Sequence, residues 1–93
     1  MKAIVNDHVL AQSDDVIPCR DYLYFPRDAV RMECLQMAPK TASDLRCPHG
    51  VQFYDVTAGG VRYARAAWSY EAPQPSMEHV RGRIGFWNEV EVR

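Results

Sequence analysis

Residues 47–50, Cys-Pro-His-Gly, set a thiol and an imidazole two positions apart. On an extended chain such positions share a face, so Cys47 could act as a nucleophile with His49 as its base. A thiol attacks only as thiolate, which takes a nearby cation, helix terminus or base. A metal reading is weaker: structural zinc takes four ligands, usually from close Cys or His pairs. Here only Cys47 and His49 are paired, and Cys34, His79 or a second chain would have to complete the set. No metal and no cofactor is expected. A third reading is purely structural. Pro48 biases Cys47 toward extended backbone, and Gly50 then bends the chain into the apolar run that starts at Val51.

Two other stretches carry chemistry-bearing side chains. In Phe25–Arg31, Arg27 or Arg31 could pair with Asp28 to fix the turn, or Arg31 could present its guanidinium to an anionic ligand. In Ala66–Tyr70, Trp68 and Tyr70 share strand parity; aromatic pairs of this kind form core or wall a pocket, and Ala66 and Ala67 leave room beside them. Trp87 has the parity opposite to its apolar neighbours, which predicts an exposed aromatic and an interface. Glu71, Glu78, Glu89 and Glu91 read as solvated. Ser69 and Ser76 have no histidine in a recognisable motif, so no hydrolase chemistry is assigned.

The elements that must position these groups are short. Ala3–Asn6 and Val9–Ser13 read as strands around Asn6-Asp7-His8, residues that tolerate the positive φ of a tight turn. Val16-Ile17 and Tyr22–Phe25 are β-like, Pro26–Ala29 is one helical turn, and Val30–Leu35 resumes as strand. Gln36–Leu45 reads as loop. Val51–Thr57 and Val61–Tyr70 are the longest strand candidates, joined at Gly59-Gly60, a strong hairpin signal. Ser76 is placed to cap a short helix through Arg81, ended by Gly82. From Ile84 to Val92 the residues alternate as in a half-buried strand, with a break at Asn88-Glu89 as the alternative.

With 93 residues there is room for one domain, spanning residues 1–93. No helix is long enough for the crossovers of a doubly wound α/β sheet, so the fold class is all-β. The net charge is −1, and no basic face is concentrated enough for phosphate backbones, so no nucleic-acid partner is expected. Of the 11 basic residues only Lys2 and Lys40 are lysines, an arginine bias that suits bidentate carboxylate or phosphate pairing but more simply reflects composition. No apolar run approaches a membrane span, and no signal peptide is visible. Three widely spaced cysteines, Cys19, Cys34 and Cys47, suit reduced thiols in a cytoplasm.

Three clusters in order, Tyr24–Glu33 (YFPRDAVRME), Cys47–Gly50 (CPHG) and Ala66–Pro75 (AAWSYEAPQP), with the ending Gly82–Val92, resemble a bacterial family of uncharacterised domains. It is number 427 in the domain-of-unknown-function series. The resemblance covers nearly the whole chain, including a hairpin over the first fifteen residues. It implies a β-tent fold, in which small coiled antiparallel sheets lean together and leave a cleft, with one or two helical turns. The family carries a nucleotidyltransferase-type label, but no Gly-Ser turn with paired aspartates and no phosphate-cradling loop is present. Members have Cys-Pro-aromatic-Lys-Gly where this chain has His49, so any role of that lysine is missing here. Tyr24, Arg31, Cys47, Trp68 and Tyr70 are then expected to line a cleft for a small ligand, an anion among the candidates, or for a partner protein. The alternatives are an enzyme using Cys47, and a structural homo-oligomer joined through Trp87 and the C-terminal strand.

Overall fold

The computed structural model describes all 93 residues. Nine strands make three antiparallel sheets. The first joins β1 (Lys2–Val5), β2 (His8–Gln12) and β9 (Glu91–Val92) in the order β2-β1-β9. The second is the small hairpin of β3 (Ile17–Cys19) and β4 (Tyr22–Tyr24). The third, in the order β5-β6-β7-β8, consists of β5 (Leu35–Met37), β6 (Val51–Ala58), β7 (Val61–Tyr70) and β8 (Gly85–Phe86). The all-β class and the short helical turns are as expected. No helix is long and apolar enough to cross a membrane.

Turn chemistry accounts for the two hairpins that sequence reading located. Asn6 (φ 49°) and Asp7 (φ 62°) both take the left-handed conformation between β1 and β2. Gly59 and Gly60 do the same between β6 and β7. Pro26 precedes a 3-10 turn over Arg27–Ala29. The strand expected over Val30–Leu35 is replaced by a second 3-10 turn, Met32–Cys34, and pairing resumes only at Leu35. β-branched Val30 makes one isolated bridge, to Ala11.

The stretch read as loop, Gln36–Leu45, holds most of β5 and a short helix, α1 (Ala42–Leu45). Thr41 and Asp44 form a reciprocal capping box: the Asp44 N–H donates to Thr41 Oγ1 and the Thr41 N–H donates to Asp44 Oδ2, both at 3.1 Å. The segment after β7 is a 3-10 helix, Pro75–Val80, with Pro75 at its first position and Gln74 before it; Ser76 lies inside it and caps nothing. The C-terminal alternation is broken as its alternative had it. Val90 N–H donates to the Trp87 carbonyl, and the turn separates β8 from β9.

The main core packs Ala3, Leu10, Phe25, Val56, Ala66, Ala67 and Ile84, all at most 2% exposed or fully buried, between the first and third sheets. A second, smaller core of Tyr24, Val51, Trp68, Met77 and Val80 sits where the β3–β4 hairpin leans over the third sheet. The hairpin is fastened by a two-way bridge: Phe25 N–H donates to Ile84 O, and Ile84 N–H to Phe25 O, each at 2.9 Å.

Candidate functional site

The second core opens into a cleft of about 240 Å³, lined by Cys19, Arg20, Asp21, Tyr22, Tyr24, Phe53, Trp68, Tyr70, Met77 and Trp87. Strand periodicity builds two of its walls. Tyr22 and Tyr24 are two apart on β4, and Trp68 and Tyr70 two apart on β7, so each pair projects from one face. Phe53 faces Trp68 across the β6–β7 ladder. Met77 reaches in from the 75–80 helix, and Trp87 from the turn after β8.

Trp68 is the floor. It is 4% exposed, and its indole Nε1 donates to the Tyr24 hydroxyl at 3.3 Å. Across the ladder it faces Gly85, where a Cβ would lie 2.8 Å from the indole and 3.1 Å from the Tyr24 ring. The missing side chain of Gly85 is therefore what lets the indole lie flat against β8. Burial pushes the phenols of both Tyr24 and Tyr70 above the usual tyrosine range. Cys19 Sγ donates to Met77 Sδ at 3.6 Å.

The Phe53 wall is braced from behind. The Arg65 guanidinium stacks 4.0 Å from the Phe53 centroid. It also makes a two-pronged pair with Asp44 on α1, at 2.7 and 3.1 Å. Arg65 sits in a bulge where the β6–β7 register shifts, with φ 53°. Buried Asp55 holds that bulge by accepting from the Arg65 N–H at 2.9 Å and pairing with Arg62. Hydrogen bonds from Arg65, then from the Thr41 backbone, bring the Asp44 carboxyl down to about 2. The Asp55 carboxyl is lowered chiefly by Arg62.

Of the five residues expected to meet in a cleft, Tyr24, Trp68 and Tyr70 do so. Cys47 is half-buried against the same small core but does not line the cleft. Arg31 lies elsewhere, in a depression of about 290 Å³ with Asp7, His8, Cys34 and Thr57 among its walls. The reason is the 3-10 turn after Arg31, which takes the place of the strand that was to aim it. The Cys-Pro-His-Gly stretch is a turn packed on the chain after β7. Gly50 (φ 62°) donates to the Cys47 carbonyl, Glu71 N–H to Gly50 O, and Ala72 N–H to His49 O. His49 Nδ1 accepts from the Gln74 N–H at 3.1 Å, so it is engaged by the backbone rather than by Cys47.

One expected partnership is corrected. Arg27 does not pair with Asp28. It reaches the Gly82 carbonyl (3.1 Å), Ser69 Oγ (3.2 Å) and Glu71 Oε1 (3.1 Å), because buried Ser69 and the strand end need a donor there. Glu71 and Glu78 are exposed, as read, and each is also an ion-pair partner, of Arg27 and Arg81 respectively. Trp87 is 45% exposed, but its ring stacks on Tyr22 at 5.5 Å and meets Trp68 at 6.1 Å.

Of the residues lining the cleft, sequence reasoning does not place Cys19, Arg20, Asp21, Tyr22, Phe53 and Met77 there, nor Trp87, which it reads only as an exposed aromatic at an interface. Tyr22 was within reach, since it shares parity with Tyr24. Met77 was not, because the 75–80 segment carries no periodic signal that aims it.

No curated protein matches the chain. A family described as Domain of unknown function (DUF427) matches it over residues 1–93. All three motif clusters that carried the resemblance flank or line the aromatic cleft, and the match runs end to end: the chain belongs to the DUF427 family.

Proposed function

We propose that this chain is a small-molecule-binding domain and that the aromatic cleft is its binding site. One observation carries the reading. Side chains from the β3–β4 hairpin, β6, β7, the 75–80 helix and the turn after β8 converge on one concavity, mostly apolar, with Arg20 and Asp21 at its rim. Binding sites for small ligands have this make-up: an apolar body with few charged groups that orient the occupant. The anion-binding role first given to Arg31 has no support from this cleft; Arg20 is the guanidinium that belongs to it. The reading with Cys47 as nucleophile is less supported, because His49 Nδ1 is taken by Gln74.

Titration of the ¹⁵N-labelled protein with a fragment library tests the proposal. Amide and indole shifts confined to Tyr22, Phe53, Trp68, Tyr70 and Trp87 are the expected result. Shifts absent from these residues across the library, or centred on the Arg31 depression, overturn it.

A further inference from the structure

Pro73, Gln74 and Pro75 follow one another after β7. Proline has no N–H, so Gln74 carries the only main-chain donor of the three. That donor is spent on a side chain, His49 Nδ1, at 3.1 Å. The lone pair that accepts it exists only while the imidazole is neutral with its proton on Nε2.

Gln74 in turn holds part of the cleft wall. It is the extended residue before the 75–80 helix, and its carbonyl accepts from the Met77 N–H at 2.9 Å. Met77 is buried and lines the cleft. The His49 ring also packs on Tyr70, centroids 5.3 Å apart at 60°, and Tyr70 is another lining residue. One imidazole therefore supports two residues of the cleft.

Protonation sets up a conflict. An imidazolium donates from both nitrogens, so Nδ1–H would face the Gln74 N–H. His49 is not free to withdraw. Its carbonyl accepts from Ala72 N–H, the next carbonyl, of Gly50, accepts from Glu71 N–H, both at 3.1 Å, and a tyrosine ring at this distance attracts a cation. Gln74 is exposed, and water can take over its N–H. The segment around Gln74 is thus the side that yields.

The ionisable groups nearby do not duplicate this change. Burial pushes the Tyr70 phenol up, away from the imidazole range. Cys47 and Arg46 belong to the same turn or directly precede it. Glu71 is paired with Arg27, and Glu78 with Arg81. Cys19 and Arg20 act on Tyr70 from the β3–β4 hairpin. His79, on the 75–80 helix, is the other imidazole on these elements; it is exposed and packs on none of the cleft rings.

We propose that His49 is a pH-sensitive latch on the cleft wall. Neutral, it holds Gln74, and through Gln74 it holds Met77; protonated, it releases the segment from 73 to 77. The latch stands on this geometry alone. Its use, admitting an occupant at one pH and not another, rests on the reading of the cleft as a binding site.

NMR titration of the intact chain without ligand, from roughly pH 8 to pH 5 across the imidazole range, tests the latch. Ring ¹⁵N shifts should show the His49 proton on Nε2 at the upper end. The Gln74 amide and Met77 methyl signals should then move with the same midpoint as the His49 ring protons. Protection of the Met77 amide from exchange should fall about fivefold at the acid end, the worth of one hydrogen bond. His49→Asn sets an acceptor oxygen in place of Nδ1 that does not titrate in this range; Gln74 and Met77 should then stay unmoved and protected. His79→Gln should titrate as the wild type does. A proton on Nδ1 at pH 8, Gln74 and Met77 signals that do not follow His49, or a titration that survives in His49→Asn each overturns the latch. None of these readouts involves a ligand, so the latch stands or falls separately from the fragment titration of the cleft.

Discussion

Gly85 is the residue on which the cleft floor turns. It is buried and faces Trp68, and any Cβ there would run into two rings rather than a flexible tail. Gly85→Ala should destabilise the fold by about 1–3 kcal/mol, the ordinary cost of overpacking a filled core. It should also tilt the indole, visible as a shifted Trp68 Nε1–H resonance and altered Trp fluorescence. An alanine variant with wild-type melting temperature and an unmoved indole signal would contradict the packing described. Tyr24 offers a second check. Burial raises its phenol, so ionisation is costlier in the folded chain than in the unfolded one. A group whose pKa is raised on folding gives stability that is full below the unfolded value and lost as pH rises. Stability should therefore fall as pH climbs past about 10, the unperturbed tyrosine value, and less steeply in Tyr24→Phe. Parallel alkaline limbs for the two proteins would rule this out.

At the level of elements, the β6–β7 bulge does the positioning. Arg65 lies in the left-handed region, which costs a non-glycine residue about 1–2 kcal/mol, and it is held there by Asp44, Asp55 and the Phe53 face. Replacing it by alanine removes the stacking, worth about 1 kcal/mol, and keeps the strain. Replacing it by glycine removes both. Arg65→Gly should then be more stable than Arg65→Ala, the reverse of the usual order inside a strand; denaturant midpoints measure this directly, and the usual order would show that φ at 65 is not strained. The Asp44 contact has a pH signature. Its carboxyl is about 2 in the folded chain against 3.8 ordinarily. A depressed acid stabilises above its unfolded pKa and stops doing so as pH falls through the folded one. Stability should decline between pH 4 and 2, and Asp44→Asn should show a shallower decline from a lower start. Asp55, also lowered, keeps part of the slope in that variant.

On the scale of the whole molecule, what the sequence made legible was local. Alternation marked β6 and β7, Gly59-Gly60 marked their hairpin, and parity put Trp68 with Tyr70. The Thr41–Asp44 capping box was legible in principle but stood inside a stretch whose mixed polarity reads as loop. What was not legible depends on contacts between distant segments. Arg31 was aimed wrongly because a 3-10 turn leaves no periodic trace. Trp87 is exposed as its parity predicts, but nothing near it in sequence reveals its stacking on Tyr22. The cleft forms only once Phe25 pairs with Ile84 and brings the β3–β4 hairpin across the third sheet.

That dependence makes the hairpin the weak part of the molecule. Its strands are three residues each, and an isolated two-stranded hairpin is marginal in water. Pro18 removes one donor from β3. What holds the hairpin down is the Phe25–Ile84 bridge, the ring contacts of Tyr22 and Tyr24, and the pairing of Arg83 with Asp15 at 3.2 Å just before β3. The β6–β7 ladder, by contrast, runs over eight and ten residues through the main core. Local opening should follow this difference. Amides of residues 19–24 should exchange with deuterium faster than those of the β6–β7 ladder, and Arg83→Ala should widen the gap while leaving the ladder unchanged. Because the hairpin supplies two of the cleft's rings and both rim charges, any occupant of the cleft binds only its docked form. Saturation with a cleft ligand should slow exchange at residues 19–24 more than anywhere else in the chain. Uniform protection with and without ligand would mean that the hairpin and the ladder open as one unit.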